Sequence, residues 1–531
     1  MNGVMKKSGL LVDVFAEEIY PAEIEFDGKI RRIRRLDSAP EVFLAPGFVD
    51  GHVHTESSML IPSEFARLAL RHGTVAVVAD PHEIANVLGV RGVEFMIRNA
   101  KKSPLKFCFG ASPCVPATSF ETAGAVLGMR EVGKLLRKKE VFFLSEVMNY
   151  PGVINRDKDI MGKIAFAKKY GKPIDGHCPG LCGKSLERYV LAGIQTDHEC
   201  YMLAEAREKA MRGMKILVRE GSAAKNLKTL HPILKNGTHM LCGDDTHPDD
   251  LLEGHIDRIL QKCVALGVDP ITAIKSCTKN TVGHYGIPAG LLREGDPADF
   301  VVLKDLKTFR VIETWISGRK VFAGGIVRSG RVMERPLNNF LQRTLSPKDF
   351  ETKNRGRVAV IGAVDGEIVT KKIFAKSAPD AKKDILKIAV INRYRKAKPA
   401  TGFIKNFGLK KGAIGSSVMH DSHNIGVVGS DDDSICKVAN EIMRIKGGLA
   451  VYDGKRMQSL PLPFAGLMSG QRGETVAKKY KKLNLLARSL GCKLKAPFMT
   501  LSFMGLLVIP HLKISDKGMF DVDKFQLIAQ E

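Results

Sequence analysis

The chain has 531 residues, 44% hydrophobic and 26% charged, which suits a globular protein too long for one ordinary core, so two or three domains are expected. Its formal charge is +25, from 82 Lys and Arg against 57 Asp and Glu. The basic residues are spread out, in runs such as RRIRR and KKYKK without interleaved aromatics, so a solvated basic surface is expected and no nucleic-acid partner.

No apolar run has bilayer length and no leader is read at the start, where acidic residues follow the first apolar patch at once. The ten cysteines form no CxxC pair, which argues against a secreted disulfide framework. A cytoplasmic chain with reduced thiols and no membrane contact is the expectation.

Residues 1–45 read as short strands (LLVDVF, AEIEF, KIRRIRRL) broken by Pro and Gly. From Phe43 to about Gly286, apolar β-branched runs alternate with stretches of helical spacing about eight times. The runs are VFLAPGFVDGH, TVAVVAD (74–80), LKFCFGAS (105–112), VFFLSE (141–146), PIDGH (173–177), IQTDH (194–198), KILVREG (215–221) and HMLCGDD (239–245). Candidate helices between them include SEFARLALRHG, NVLGVRGVEFMIRNA, MREVGKLLRKK, IMGKIAFAKKYG, AEAREKAMRG and HIDRILQKCVALG. This alternation marks parallel βα units, and eight of them predict an α/β fold, a closed (β/α)8 TIM-like barrel over 46–285. A doubly wound open sheet is the alternative. Residues 286–340 return to β character and are expected to pair with 1–45 as a small β-sandwich built from both flanks. The charged stretch 345–357 reads as a linker, and 358–531 as a C-terminal α/β domain.

The reactive side chains fall at the ends of the predicted strands. His52 and His54 are two apart, so an extended chain points both to one face, where they can bind one metal. Glu146, His177, His198 and Asp244 end strands four, five, six and eight, and Asp80 ends strand two. In a βα barrel those ends converge on one mouth. Imidazoles and carboxylates brought together there suit divalent transition metals, and two such ions can lower the pKa of a water toward neutrality. Asp244 directly follows its strand and is expected to be the ligand and proton shuttle, with Asp245 facing elsewhere or toward the substrate. Ser222 is read as the cap of the next helix.

With these residues assembled, the chain resembles the adenine deaminase family of the amidohydrolase superfamily over nearly its whole length. The motifs are PGFVDGHVHTESSM, DPHEIANVLG (80–89), SEVMNYPGVI (145–154), DGHCPGL (175–181), TDHE (196–199), REGSAAKNL (219–227), CGDDTHPDDLL (242–252), GFIKNFGLKKGAIGSSVMHDSHNIGVVG (402–429) and LPLPFAGLMSG (460–470). Thr55, Gly243 and Thr246 depart from the family's commoner residues without removing a ligand. The resemblance implies hydrolysis of adenine to hypoxanthine and ammonia with two divalent ions, Mn or Fe, with Zn as a third choice. His52 and His54 would bind one ion, His177 and His198 the other, Glu146 would bridge them and Asp244 would complete the first site.

Attack at C6 of a purine breaks aromaticity, so N1 must gain a proton and the amino group must be protonated before it leaves. Asp244 is the candidate for the leaving nitrogen. Glu83 and His82 are candidates for N1, oriented by Asp80. Glu56, Ser57, Asp245, His420 and His423 are expected to line the pocket, the last two because the third domain reaches over the mouth. Adenine and water are the expected partners and a homodimer the expected assembly. The competing readings are another amidohydrolase acting on a related base or cyclic amide, and a nucleic-acid-binding protein. Many cyclic-amide hydrolases bridge their metals with a modified lysine where this chain has Glu146, and the HxE and PCxxC signature of zinc deaminases acting on nucleic acid is missing.

Overall fold

A computed structural model describes residues 3–352 and 357–528, so the charged stretch expected as a linker lies partly outside the described residues. Eight parallel strands form a barrel: β1 Phe48–Val53, β2 Thr74–Ala79, β3 Lys106–Ala111, β4 Val141–Val147, β5 Ile174–Gly176, β6 Thr196–Asp197, β7 Lys215–Arg219 and β8 Met240–Cys242. The first five make one sheet and the last three another. Two links close the ring: Gln195 N donates to Ile174 O at 2.9 Å, and Asp244 N donates to His52 O at 2.9 Å beside a Val53–Asp244 bridge. The sequence TVAVVA of β2 is buried at every position, as a strand covered by side chains within the barrel and helices outside must be. Helices Pro62–Ala69, Val90–Ala100, Met129–Leu136, Lys158–Lys169, Leu203–Met211 and Ile256–Ala265 lie where helical spacing predicts them. Gly183–Leu191 is a further helix that the sequence reading passes over.

The flanks form a single eight-stranded sheet in which Phe43–Pro46 joins the N-terminal strands to Phe300–Leu303 and its successors. This sheet folds over itself. Phe26, near one end of the ladder, packs edge-on against Phe300 at 5.0 Å and Trp315 at 5.1 Å. The two halves thereby enclose an apolar filling of their own.

The C-terminal part is built on another eight-stranded sheet, antiparallel except where Val358–Gly362 runs beside Ala400–Lys405. Helix Asp432–Arg444 covers it. Asp431 caps that helix by accepting from Ser434 N at 2.7 Å, and Asp432 and Asp433 favour its positive end. Phe350 is fully buried in the same core, so 345–350 is anchored and not a free tether. This part packs on the barrel. Ser469 N donates to Met59 O at 2.8 Å and Ser469 O accepts from Ile61 N at 3.2 Å, just after the HxH stretch. Phe464 stacks on Phe95 at 5.5 Å, within an apolar cluster continuous from barrel to C-terminal domain. Among the described residues, no helix is long and apolar enough to cross a membrane.

Candidate metal centre

Each strand end delivers one or two polar side chains to the mouth of the barrel. The imidazoles of His52 and His54 face each other with their Nε2 atoms 3.1 Å apart. Asp244 Oδ1 lies 3.2 Å from His54 Nε2 and 3.7 Å from His52 Nε2. Glu146 sits centrally. Its Oε1 is 3.5 Å from His54 Nε2, and its Oε2 is 2.7 Å from His177 Nδ1 and 3.3 Å from His198 Nε2. All six side chains are buried. Asp244 takes a positive φ of 52°, outside the strand, which turns its carboxylate inward.

The neighbouring carboxylates outweigh burial and raise the imidazoles of His54, His177 and His198, positive charge of the kind that bound cations would replace. Burial, reinforced by the charges of His198 and His54, pushes the His52 imidazole down to about 3, so it offers a lone pair and not a proton. Burial would raise Glu146 and Asp244; the positive charge of His177 in the first case and Arg219 in the second outweighs it and holds both carboxyls well below the usual range. His52 Nδ1 and His177 Nε2 are buried with no hydrogen-bond partner. Nitrogen and carboxylate donors thus converge from several strands on shared points. The groups His52–His54–Asp244, His52–Glu146–His198 and His177–His198–Glu199 each bring their ligand atoms within 4.8 Å of one another. Such a set of imidazoles and carboxylates suits divalent metal ions.

Around this cluster the remaining candidates divide. Asp80 accepts hydrogen bonds from Ser112 Oγ at 2.7 Å and Ser145 Oγ at 2.8 Å, and its Oδ2 is 3.1 Å from His82 Nδ1. His82 Nδ1 is also 3.2 Å from Glu146 Oε1, while its Nε2 is 3.3 Å from Glu83 Oε1. Burial disfavours a charged His82, but Glu83 and Asp80 outweigh it and hold the imidazole well above its ordinary value. Glu83 itself contacts His420 and His423.

A small cleft opens on the cluster. Barrel residues His82, Glu83, Glu146, Asp244 and Asp245 line it, and the C-terminal domain supplies Ile368, His420, Asp421, Phe503 and Leu506. The third domain therefore covers the mouth. Glu56, Ser57 and His423 are not part of this wall. Glu56 Oε1 accepts from Ile84 N at 3.2 Å in the first turn of helix His82–Leu88. Ser57 donates to Asp245 Oδ1, and His423 lies behind Glu83. Each is turned toward a protein partner. Ser222 is no helix cap either, because its hydroxyl donates to Asp250 Oδ2 and the short helix there begins at Leu227, after Asn226.

Glu199 and Arg219 stand in the motifs quoted above but receive no role from the sequence. Arg219 grips Glu199 with both terminal nitrogens, at 2.6 and 2.8 Å, and reaches Asp244 Oδ2 at 2.6 Å. Both stand at strand ends, Arg219 closing β7 and Glu199 following His198, so the rule that found the histidines could have found them.

Comparison with known proteins agrees with this geometry. Residues 43–321 match the amidohydrolase family, and residues 364–526 match the adenine deaminase C-terminal domain. The adenine deaminase of Sulfurovum sp. is 49% identical over 528 residues, covering 99% of each chain. That of Borreliella burgdorferi is 48% identical over 97% of each chain, and that of Methanosarcina mazei 47% identical over 99% of each.

Proposed function

The chain belongs to the adenine deaminase family of the amidohydrolase superfamily, and from that premise we propose that it hydrolyses adenine to hypoxanthine and ammonia in purine salvage. The observation that supports this best is the convergence of buried imidazoles and carboxylates from separate strand ends on one covered cleft. A divalent metal centre suits those ligands. We assign His52, His54 and Asp244 to one ion and His177 and His198 to a second, with Glu146 between them. When bound, such ions supply a nucleophile at neutral pH by lowering the pKa of water. Mn or Fe is the favoured identity, with Zn as the alternative.

The chain's own residues then manage protons. Asp244 Oδ1 faces the ligand histidines while Arg219 holds Oδ2. Asp244 accepts the proton released as water attacks C6 and returns it to the departing amino nitrogen. N1 must be protonated as aromaticity is lost. His82 and Glu83, 3.3 Å apart in the same cleft, supply that proton, the carboxylate of Glu83 carrying it from the imidazole to the ring. Asp80 orients His82. Asp245 and His420 bound the cleft on the side of the C-terminal domain. We further assign a cytoplasmic homodimer.

The deciding experiment is ammonia release from adenine, adenosine, guanine and cytosine by metal-loaded protein, with metal content measured alongside. Turnover of adenine alone, with about two ions per chain, is the expected result. Reaction of adenosine or a cyclic amide with adenine left intact would remove the assignment.

A further inference from the structure

Glu83 is the point where the C-terminal domain touches the proposed proton path. It sits in the first turn of helix His82–Leu88, on the barrel. Its Oε1 is 2.7 Å from His420 Nδ1, and its Oε2 contacts His423 Nε2. Both histidines belong to one turn of the C-terminal domain, HDSHN, and neither comes from the barrel.

That turn is built to aim them. His423 N donates to Met419 O at 2.7 Å, and Met419 N donates to His423 Nδ1 at 3.3 Å. With Nδ1 accepting, the ring proton of neutral His423 lies on Nε2, the nitrogen that packs against Glu83 Oε2. The φ of His423 is 54°, a left-handed conformation that a β-carbon disfavours and the surrounding contacts must hold. The His420 ring is stacked on Phe503, centroids 4.6 Å apart and planes 7° from parallel. Asn424 Nδ2 donates to Thr122 O at 2.9 Å, which ties the turn to a barrel loop. Tyr394 OH donates to Ser422 O at 2.6 Å and anchors its middle.

We propose that His420 and His423 are positioning residues: the C-terminal domain packs an imidazole against each carboxylate oxygen of Glu83 and so presents this barrel side chain to the purine in one orientation. The role rests on the reading that Glu83 serves N1. A carboxylate held at one oxygen rotates about its terminal torsion, which is broad and roughly two-fold; one held at both does not. The arrangement also gives the C-terminal domain a part in turnover beyond covering the cleft.

The test is a double-mutant cycle on the full-length, metal-loaded chain, reading ammonia release from adenine, metal content and melting temperature. His420→Leu lowers kcat by about 100-fold, the scale of a misplaced catalytic group, with metal content unchanged. His420→Gln, which keeps an N–H donor, recovers part of that loss. In a Glu83→Gln background, His420→Leu costs less than about 2-fold more, because the group it positions is already gone. Wild-type kcat in His420→Leu, or losses that multiply in the double variant, overturn the clamp while leaving the activity in place. If His420→Leu fails to fold, His420→Gln and His423→Gln carry the same cycle. A wild-type chain inert toward adenine overturns the activity and the clamp together.

Discussion

The Arg219 guanidinium lies 2.6 Å from Asp244 Oδ2, both side chains buried, one closing β7 and the other just beyond β8. The same guanidinium is doubly bonded to Glu199, so one cation serves two carboxylates. Asp244 is left with Oδ1 for the ligand histidines.

Removing that cation strands two buried anions. Arg219→Met should destabilise the protein by about 3–5 kcal/mol, read by denaturant unfolding, and abolish most turnover. Arg219→Lys should recover only part, since a point charge cannot fork across Glu199 and Asp244 together. The pair holds the Asp244 carboxyl below its ordinary value. Its stabilisation is therefore present above about pH 4 and lost as pH falls through the lowered folded value. A variant as stable as the parent at neutral pH would contradict this.

Asp244→Asn keeps an oxygen for the metal but cannot accept a proton. We expect near-normal metal content and a fall in kcat of roughly 10²–10⁴-fold. Full activity would mean that another group carries the proton to the amino nitrogen.

Glu146 touches histidines of both proposed ligand sets. Chelation should lower the melting temperature and end ammonia release, with Mn or Fe restoring both. At ligand about 100 times its Kd, binding contributes about 2.7 kcal/mol. Glu146→Gln should reduce bound metal more than Asp244→Asn does. Elemental analysis that finds the two variants alike would argue against a central Glu146.

Lys513 is a buried amine whose partners are carbonyls, Ile368 O at 2.6 Å and Phe503 O at 2.9 Å, both from residues that line the cleft. Burial pushes its pKa down to about 7. The unfolded amine titrates near ~10.4, so the unfolded chain binds the extra proton between those values. This group's contribution to stability should therefore rise with pH, by roughly 1 kcal/mol per unit from about pH 7 to 10. Lys513→Met should flatten that slope in pH-dependent melts; an unchanged slope would assign it to other groups.

Much of this was readable before any coordinates. The HxH pair, Glu146, His177, His198 and Asp244 stood out because strand ends are marked locally, by a β-branched run that stops at a polar residue. The strands of only two or three residues, such as Thr196–Asp197, were found by their neighbours in the repeat and not by their own pattern. Helix Gly183–Leu191 was passed over because it opens on glycine and has no side-chain cap. Glu56 and Ser57 leave the line of the HxH pair because the chain quits the extended conformation directly after His54, in a tight turn over Thr55–Ser58.

By itself the sequence determined the βα alternation, the family and the chemical kind of side chain at each strand end, because periodicity and local turn signals are properties of neighbouring residues. Only the tertiary structure decided that Arg219 joins Asp244 to Glu199, that Glu83 is gripped by His420 and His423, and that Lys513 hangs the roof of the cleft. Those pairings join segments far apart in the chain. Their strength comes from burial and geometry that exist only once the barrel has closed and the last domain has docked on it.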